Sequence, residues 1–300
     1  MNKYIDYIYN NISTLNPLHA KKLKKNIDSF DENYDKLAGA FFDKYIAILQ
    51  SQNQTLDYAI DCYLKMIADV NAETIDFLRT GKYSSSTFDE VNARVYARPE
   101  TMEYYMHGLI MSQFLWKHHY QVVDFFINKL PAYKATTKSY LEIGVGHGYY
   151  LSKALEILDE QTTFTVVDIS ETSIALAKNF VNNERVVYNL QDIYEYDSSH
   201  KFDFITLGEV LEHVEDPLRL LLKIKDLLSD TGTLFFTTPT NAPAIDHIYL
   251  FNNADEIRDM VSTAGFKIES EVALLSEDVS PEKAERLKIA VLYGAFVKKR

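Results

Sequence analysis

The sequence predicts an α/β fold in which a mainly parallel, doubly wound sheet of seven strands follows an all-helical region. After Pro131, short apolar runs alternate with helical segments, and this βαβ rhythm is typical of a parallel sheet. Before it, the chain has helical periodicity, few glycines and little strand signal. The change of pattern predicts a helical domain at residues 1–133 and an α/β domain at residues 134–300.

Charge and cysteine content narrow the class of protein. The 300 residues carry a formal net charge of -12, which disfavours a nucleic-acid partner because an acidic surface repels phosphates. Cys62 is the single cysteine, so no intrachain disulfide is expected. The sequence has no run of eighteen apolar residues and no apolar signal-peptide region, and we expect a cytoplasmic protein with no membrane partner.

In the helical region, residues typical of helix starts and helix ends mark where the segments begin and stop. Pro17 behind Asn16 is typical of a helix start, and apolar residues recur at three and four over 56–78 before a stop at Gly81. Another helix is expected from about Thr87. Residues 100–130 are apolar almost all round, which predicts one long helix buried on several sides against the second domain or a second subunit.

In the α/β region, predicted strands and helices alternate. The strands are expected at 139–143, 164–167, 185–188, 202–207, 233–237, 266–271 and 288–297, and the helices at 149–158, 173–180, 216–228 and 255–264. Ligands of such sheets bind beyond the carboxyl ends of the strands.

The first strand ends in a glycine-rich turn. Residues 140–150 read YLEIGVGHGYY, with glycine at 144, 146 and 148. Glycines at every second position allow positive φ and close approach of a ligand, and the helix that follows offers unpaired N–H groups. The spacing is neither G-x-G-x-x-G nor a phosphate-binding loop with its lysine. The turn predicts a site for a nucleotide-like cofactor, with a plain tight turn as the alternative.

Two aspartates follow the next two strands. Asp168 closes TFTVVD twenty residues after Gly148, where a carboxylate can accept from ribose hydroxyls. Its alternative role is to cap the next helix. Asp192, beside the apolar Ile193, could accept from an adenine amino group, although aspartates are common in loops. Together they favour a ligand that contains adenosine.

Five motifs in this order resemble class I S-adenosylmethionine-dependent methyltransferases of the small-molecule type. They are E-x-G-x-G-x-G, VDIS, QDI, FDFITLGEVLEHVEDP and LLSDTGTLFFTTPTN, and the resemblance covers residues 140–300. It implies a Rossmann-like sheet with an antiparallel final strand pair, and S-adenosylmethionine as methyl donor with S-adenosylhomocysteine as product. The cofactor residues implied are Glu142, Gly144, Gly146 and Gly148 for the methionine part, Asp168 for ribose, Ile169, Asp192 and Ile193 for adenine, and Glu209 at the same site.

The segment EVLEH at residues 209–213 resembles the same region of ubiquinone-pathway O-methyltransferases, where the two glutamates and the histidine are associated with a divalent metal. Positions i, i+3 and i+4 of a helix face one way, so Glu209, Glu212 and His213 could converge on one ion. In relatives without metal, the same string packs beside the cofactor and caps the helix ahead of Pro217. Both interpretations stay open.

Acid–base groups are expected near the cofactor. His247 lies in the polar loop after the fifth strand and is the candidate base, because its ordinary pKa near 6.5 needs little tuning. Its alternative role is to fix the loop through Asp246 or the backbone. His213 and Tyr105 are further catalytic candidates. The sulfonium is already activated, so positioning of the acceptor can supply most of the rate effect.

The helical domain is expected to shape the acceptor pocket, to mediate homodimerisation, or both. The candidate acceptor-binding residues are Arg98, Tyr104, Trp116 and His119, and from the loop after the fifth strand Asn241 and Tyr249. Arg98 is the cation positioned to meet a carboxylate. Taken singly, Trp116 and the tyrosines are more often core or interface residues.

These observations predict methyl transfer from S-adenosylmethionine to a small metabolite in specialised metabolism. Oxygen is the favoured acceptor atom, and carbon and nitrogen are alternatives. A protein or nucleic-acid methyltransferase is disfavoured by the acidic charge and by TPTN at residues 238–241, which lacks the aromatic residue of D/N-P-P-Y/F motifs. A catalytically silent partner subunit and a dinucleotide-dependent enzyme are the remaining alternatives.

Overall fold

The computed structural model describes residues 2–197 and 199–300. The first part of the described chain is helical, as predicted. Its helices are α1 (Lys3–Leu15), α2 (Pro17–Ile27), α3 (Glu32–Ser51), α4 (Leu56–Thr80), α5 (Phe88–Val91), α6 (Pro99–Leu115) and α7 (Lys117–Lys129). A π-helical turn (Asn92–Tyr96) follows α5, and a 3-10 turn (Leu130–Tyr133) ends the region.

Side-chain hydrogen bonds cap α2 and α5 at helix starts that the sequence predicted. The side chain of Asn16 accepts from the backbone N–H of His19, with Pro17 in the first helical turn. Gly81 ends α4 with a φ of 70°, a left-handed conformation that costs glycine little. Thr87 and Glu90 form a reciprocal capping box at α5.

The long helix predicted over residues 100–130 is two helices. Trp116 adopts an extended backbone with φ -108° and ψ 127°, and its indole Nε1 donates to Tyr63 Oη over 2.8 Å. This conformation cannot continue an α-helix, so the chain turns between α6 and α7. Burial of α6 on several sides is confirmed. Among the described residues, no helix has both the length and the apolar character needed to cross a bilayer.

The α/β part contains seven strands and five helices among the described residues. The strands are β1 (Ser139–Ile143), β2 (Thr163–Asp168), β3 (Val186–Leu190), β4 (Phe202–Gly208), β5 (Leu228–Thr240), β6 (Phe266–Leu275) and β7 (Val291–Lys299), and the helices are α8 (Tyr149–Ile157), α9 (Glu171–Val181), α10 (Pro217–Leu227), α11 (Ala254–Thr263) and α12 (Pro281–Leu287). Helix α12 was not predicted. Ser280 caps it, and Lys288 ends it at φ 50°, so the last strand begins later than the predicted residue 288.

The strands form one sheet in the order β3-β2-β1-β4-β5-β7-β6. Neighbours from β3 to β5 are parallel, and β7 runs antiparallel to both β5 and β6. The predicted fold class is therefore confirmed, including the antiparallel final pair. The carboxyl ends of β1, β2 and β4 meet at one edge of the sheet, where the glycine turn leaves β1.

The two faces of the sheet bury different cores because successive strand residues point to opposite sides. Tyr140 and Phe235 belong to a core shared with the helical region, and Phe126 of α7 packs on Phe235 with ring centroids 4.8 Å apart. Leu141 and Phe236 face the opposite core, beneath α10 and α11. The helical region therefore covers one face of the sheet. Because this core continues across residue 133, the domain boundary expected there stays a prediction.

Candidate functional site

A cavity of about 420 Å³ opens at the carboxyl ends of the strands. Its floor is the glycine turn with the ends of β2 and β4, and its roof comes from α6, α7 and the π-helical turn of the helical region. Ligands of doubly wound sheets bind at this edge. The helical region thus closes the place where the sequence predicts a cofactor.

The glycine turn has the conformation that the motif predicts. Gly144, Gly146 and Gly148 have φ values of 70°, 48° and 77°. A Cβ at Gly144 would lie 2.5 Å from a methyl of Val210, and one at Gly148 would lie 3.1 Å from the Cα of Ala177. A Cβ at Gly146 would meet no protein atom within 4 Å, so the turn leaves this side bare toward the cavity.

Two buried carboxylates flank the turn. Glu142 accepts a hydrogen bond from the hydroxyl of Tyr140, and burial raises the pKa of Glu142 to about 8. Asp168 accepts from the backbone N–H of Ser170 over 2.7 Å, and burial raises the pKa of Asp168 to about 6. Helix α9 is capped by Ser170 instead of Asp168, so the aspartate is left to face the cavity.

The predicted adenine residues lie at one end of the cavity. Ile169, Asp192 and Ile193 all line it. Asp192 Oδ1 accepts from the backbone N–H of Tyr194 over 2.8 Å, and the Arg219 guanidinium lies 4.2 Å from the Tyr194 ring centroid. Of the nine predicted cofactor residues, only Gly148 is outside the lining, because it packs against α9.

The three predicted catalytic side chains also line this cavity and meet around Asp246. The Tyr105 hydroxyl donates to Asp246 Oδ1 over 3.2 Å, and His213 Nδ1 donates to the Asp246 carbonyl over 2.8 Å. His247 Nδ1 donates to the Ala242 carbonyl over 2.6 Å, and the two imidazole rings are 4.9 Å apart. Because a carbonyl only accepts, each neutral ring presents its lone pair at Nε2.

Burial weakens His247 as a base. The protein interior and the neighbouring His213 lower the pKa of His247 to about 4, so its imidazole is neutral at pH 7 and holds a transferred proton poorly. The alternative role, fixing the loop through its backbone, is met by its Nδ1 bond. His213 keeps 17% of its side-chain surface exposed.

Residues 209–213 do not form the predicted helix. Glu209 has a φ of 53°, and Leu211–His213 is a single 3-10 turn. The i, i+3, i+4 argument for Glu209, Glu212 and His213 was therefore wrong, since it required a continuous helix. The ligand atoms that lie within 4.8 Å of one another belong to Glu212, His213 and His247.

Five of the six predicted acceptor residues lie outside the cavity lining. Tyr104 donates to Asp69, Trp116 to Tyr63, Arg98 to the Ala93 carbonyl and Asn241 to the Asn252 carbonyl, and Tyr249 packs on Phe251. His119 does line the cavity. The structure thus does not bring Arg98, the predicted carboxylate partner, to this site, because its exposed side chain folds back on the π-helical turn.

Sequence reasoning missed a stripe on α6. Met102, Met106, Leu109 and Gln113 line the cavity together with Tyr105. Their spacing of three and four residues places them on one helix face, while Tyr104 turns toward α4. The same spacing in the sequence was the available signal, but an apolar helix of this kind does not indicate which face meets a ligand.

Comparison with known proteins decides the family. A family model described as "Methyltransferase domain" matches residues 115–271, more than half of the chain. The chain belongs to this methyltransferase family. The resemblance drawn from the five motifs is confirmed.

Individual relatives of this methyltransferase match over shorter stretches. A ubiquinone biosynthesis O-methyltransferase of Coxiella burnetii is 38% identical over 104 residues, which are 34% of this chain and 43% of the relative. Nodulation protein S of Azorhizobium caulinodans is 34% identical over 114 residues, which are 37% of this chain and 54% of the relative. The chain thus spans about half the length of the curated relatives it matches.

Among solved structures, the mitomycin 7-O-methyltransferase has a similar fold. The similarity covers 77% of this chain and 68% of that protein, with a TM-score of 0.53 and 11% identity. At this identity the likeness concerns the fold alone.

The residues of this methyltransferase fit S-adenosylmethionine. The carboxylates that line the cavity are Glu142, Asp168, Asp192, Glu209, Glu215, Asp216 and Asp246. The one lysine or arginine in the lining is Arg219, beside Tyr194. A lining of this charge suits a sulfonium and an ammonium group, and it disfavours the pyrophosphate of a dinucleotide. The bare side of Gly146 leaves room for the ligand against the main chain.

The residues Glu212, His213 and His247 also fit a divalent cation. Both imidazoles are oriented by Nδ1 bonds to carbonyls, which is how proteins orient histidine ligands. Glu212 Oε2 accepts from the Thr238 hydroxyl, while its Oε1 is buried with no hydrogen-bond partner among the described residues. That orphaned oxygen is the observation that favours a cation here.

Proposed function

We propose that this protein transfers the methyl group of S-adenosylmethionine to a small-molecule acceptor. The observation that carries the proposal is one buried cavity that joins the glycine turn and Asp168 to the cluster around Asp246. Oxygen is the favoured acceptor atom, with carbon and nitrogen as alternatives, and specialised metabolism is the expected setting. The Coxiella relative is named for O-methyl transfer, which agrees with the first choice.

Different residues would bind the different parts of the cofactor. Glu142 would receive the ammonium group, the main chain at 144–146 would lie against the methionine part, and Asp168 would accept from the ribose hydroxyls. Asp192 and the apolar Ile169 and Ile193 would hold the adenine. The bound cofactor supplies an activated methyl on a positively charged sulfur.

The acceptor end of the cavity is the part around Tyr105, His213, Asp246 and His247. It has two tasks, which are to orient the acceptor and to remove its proton. Tyr105 ties α6 to Asp246, and Asp246 orients His213 through its backbone carbonyl, so these three groups form one positioned unit. His213 Nε2 carries the lone pair that would take a proton from an acceptor hydroxyl. Alignment in a closed cavity supplies the larger part of the effect, since effective molarities reach about 10⁵ M or more in well-oriented reactions.

As an alternative to a base at His213, we propose a divalent cation at the same end of the cavity. Glu212 and the Nε2 atoms of His213 and His247 would hold it. Its charge would favour the ionised form of a bound hydroxyl.

Small acceptors are favoured over macromolecules. The helical region roofs the cavity with Phe88, Tyr96 and the α6 stripe, which leaves a partly covered pocket of about 420 Å³, a size that suits a small molecule. The net charge of -12 works against nucleic acid. We also propose that the protein is cytoplasmic and forms a homodimer. Light scattering on the purified protein would test the dimer.

The direct test combines binding and turnover. Calorimetry should show S-adenosylhomocysteine binding, and Asp168→Ala should weaken it about tenfold or more, as expected for a lost hydrogen bond to a charged group. Asp230→Asn, a change at an exposed surface residue, is the matched control. Incubation of a metabolite extract with methyl-labelled S-adenosylmethionine should then yield a labelled small molecule. Binding without label transfer to any acceptor would favour the silent-partner alternative, and preference for a nicotinamide dinucleotide would overturn the proposal.

A further inference from the structure

We infer that the acceptor is an uncharged molecule with an apolar body and at least one hydroxyl group, and that it carries no carboxylate or phosphate. This inference rests on the proposed function in its form without a bound cation, and it names the substrate class of the same site. Three properties of the acceptor end of the cavity lead to it: its apolar wall, the absence of a cation to pair with an anion, and a surplus of hydrogen-bond acceptors.

The helical region gives the cavity an apolar wall. Met102, Met106 and Leu109 of α6 form it, with Val122 of α7 and Leu292 of β7 beside them. Apolar ligand surface that is buried here leaves water, which favours binding. An acceptor with a hydrocarbon or aromatic body is therefore favoured over a small polar one.

The cations of the neighbouring segments point elsewhere in the described structure. Arg94 donates to the Ile245 carbonyl and to Ser84, and it pairs with Glu73 across 3.4 Å. Arg98 is exposed and bonds the Ala93 carbonyl. Arg219 lies over Tyr194 at the adenine end. An anionic acceptor would meet Asp246 and Glu209 without compensation, and burying an unpaired charge is costly.

The polar groups at this end accept more hydrogen bonds than they donate. His213 and His247 present Nε2 lone pairs, because carbonyls take their Nδ1 protons. His247 is 9% exposed and lines the cavity. Glu209 Oε1 is likewise unpartnered, and the Tyr105 hydroxyl is committed to Asp246. Buried acceptors need donors, so the ligand must bring them.

A hydroxyl group meets these requirements better than an amine. A protonated amine would find carboxylates, but it would also have to lose its hydration beside the methyl-bearing sulfonium, a like charge in a closed cavity. A hydroxyl brings a hydrogen-bond donor without charge, which suits the unpartnered acceptors at this end of the cavity.

The test uses four probes of similar size on the protein freed of metal by chelator and saturated with sinefungin, an analogue of S-adenosylmethionine that carries an amine at the position of the sulfonium methyl group. They are 4-propylphenol, 4-propylanisole, 3-(4-hydroxyphenyl)propionate and tyramine, and their affinities are measured by calorimetry or ligand-observed NMR. We expect 4-propylphenol to bind at least tenfold more tightly than the other three. Equal or tighter binding of the propionate or of tyramine overturns the inference, and so does failure of 4-propylphenol to bind at millimolar concentration.

A variant tests the charge argument independently. Leu109→Lys places a cation in the apolar wall and should shift the preference at least tenfold toward the propionate, whereas Leu109→Met should leave the preference unchanged. Affinity for S-adenosylhomocysteine reports whether each variant is folded. A wild-type protein that does not bind S-adenosylhomocysteine contradicts the proposed function, whereas one that binds it and prefers the propionate contradicts only the acceptor class.

Discussion

The Tyr105 hydroxyl donates to Asp246 Oδ1 across 3.2 Å and so joins helix α6 to the loop after β5. The two residues are 141 positions apart in the chain, and both are buried. This bond couples the roof of the cavity to the loop that carries His247 and orients His213. Its removal provides the first prediction.

Tyr105→Phe should lower kcat about tenfold and leave the affinity for S-adenosylhomocysteine within about twofold. The change removes one hydrogen bond to a buried carboxylate, worth about 1.5–3 kcal/mol, at the acceptor end only. Steady-state kinetics with the identified acceptor and calorimetry measure the two quantities. Tyr104→Phe is the matched control, because Tyr104 bonds Asp69 outside the cavity. Equal losses in both variants would show that the effect is one of general stability.

Cofactor binding should release a proton at pH 7. Burial raises the pKa of Glu142 to about 8, so about 0.9 of the molecules carry this proton before binding, and an ammonium beside it would favour the ionised form. The affinity for S-adenosylhomocysteine should therefore rise as the pH rises from about 6 to 8.

Calorimetry in buffers of different ionisation enthalpy measures the released proton. In Glu142→Gln, the release should disappear and the affinity should fall about tenfold. Release that persists in this variant would assign the proton to another group.

Two glycines of the turn should respond differently to alanine. Gly148→Ala should lower Tm, because its Cβ would press on the backbone of Ala177 at 3.1 Å in a left-handed conformation. Gly146→Ala should chiefly lower the affinity for S-adenosylhomocysteine, because its Cβ would project into the open cavity. Both variants share the strain of positive φ, about 1 kcal/mol, so thermal unfolding and calorimetry must be compared between them. Equal affinity losses at equal Tm would contradict this assignment.

If a cation binds Glu212, His213 and His247, chelation should abolish activity and added Mg²⁺ or Zn²⁺ should restore it. His247→Ala should lose metal stoichiometry, measured by elemental analysis, while Glu209→Gln should keep it because Glu209 lies outside that set. Full activity in the presence of chelator would remove the cation from the proposal and leave the two histidines as a base and a loop support.

Residues close together in the chain made much of this site predictable. The alternation of strands and helices predicted the sheet, and the turn at 144–148 with Asp168 and Asp192 predicted the edge at which the cavity opens. These features depend on backbone conformation and on the edge of a parallel sheet, both of which follow from local periodicity.

The acceptor end could not be predicted in the same way. The predicted ion set needed a helix at 209–213, but Glu209 leaves β4 with positive φ and the chain forms only a 3-10 turn. The set found includes His247, 34 residues beyond His213, and depends on how the loop after β5 folds back. Arg98 was expected at the acceptor, but its place is decided by the π-helical turn against which it folds.

The sequence by itself determined the sheet, the glycine turn and the residues proposed to hold the cofactor, because each follows from short-range spacing. Only the tertiary structure decided which face of α6 lines the cavity, that Asp246 joins Tyr105 to His213, and that Arg94 and Arg98 of the described chain bond backbone carbonyls outside the cavity lining. Those features depend on packing between distant segments, where side-chain contacts and burial, and not spacing along the chain, select the neighbours.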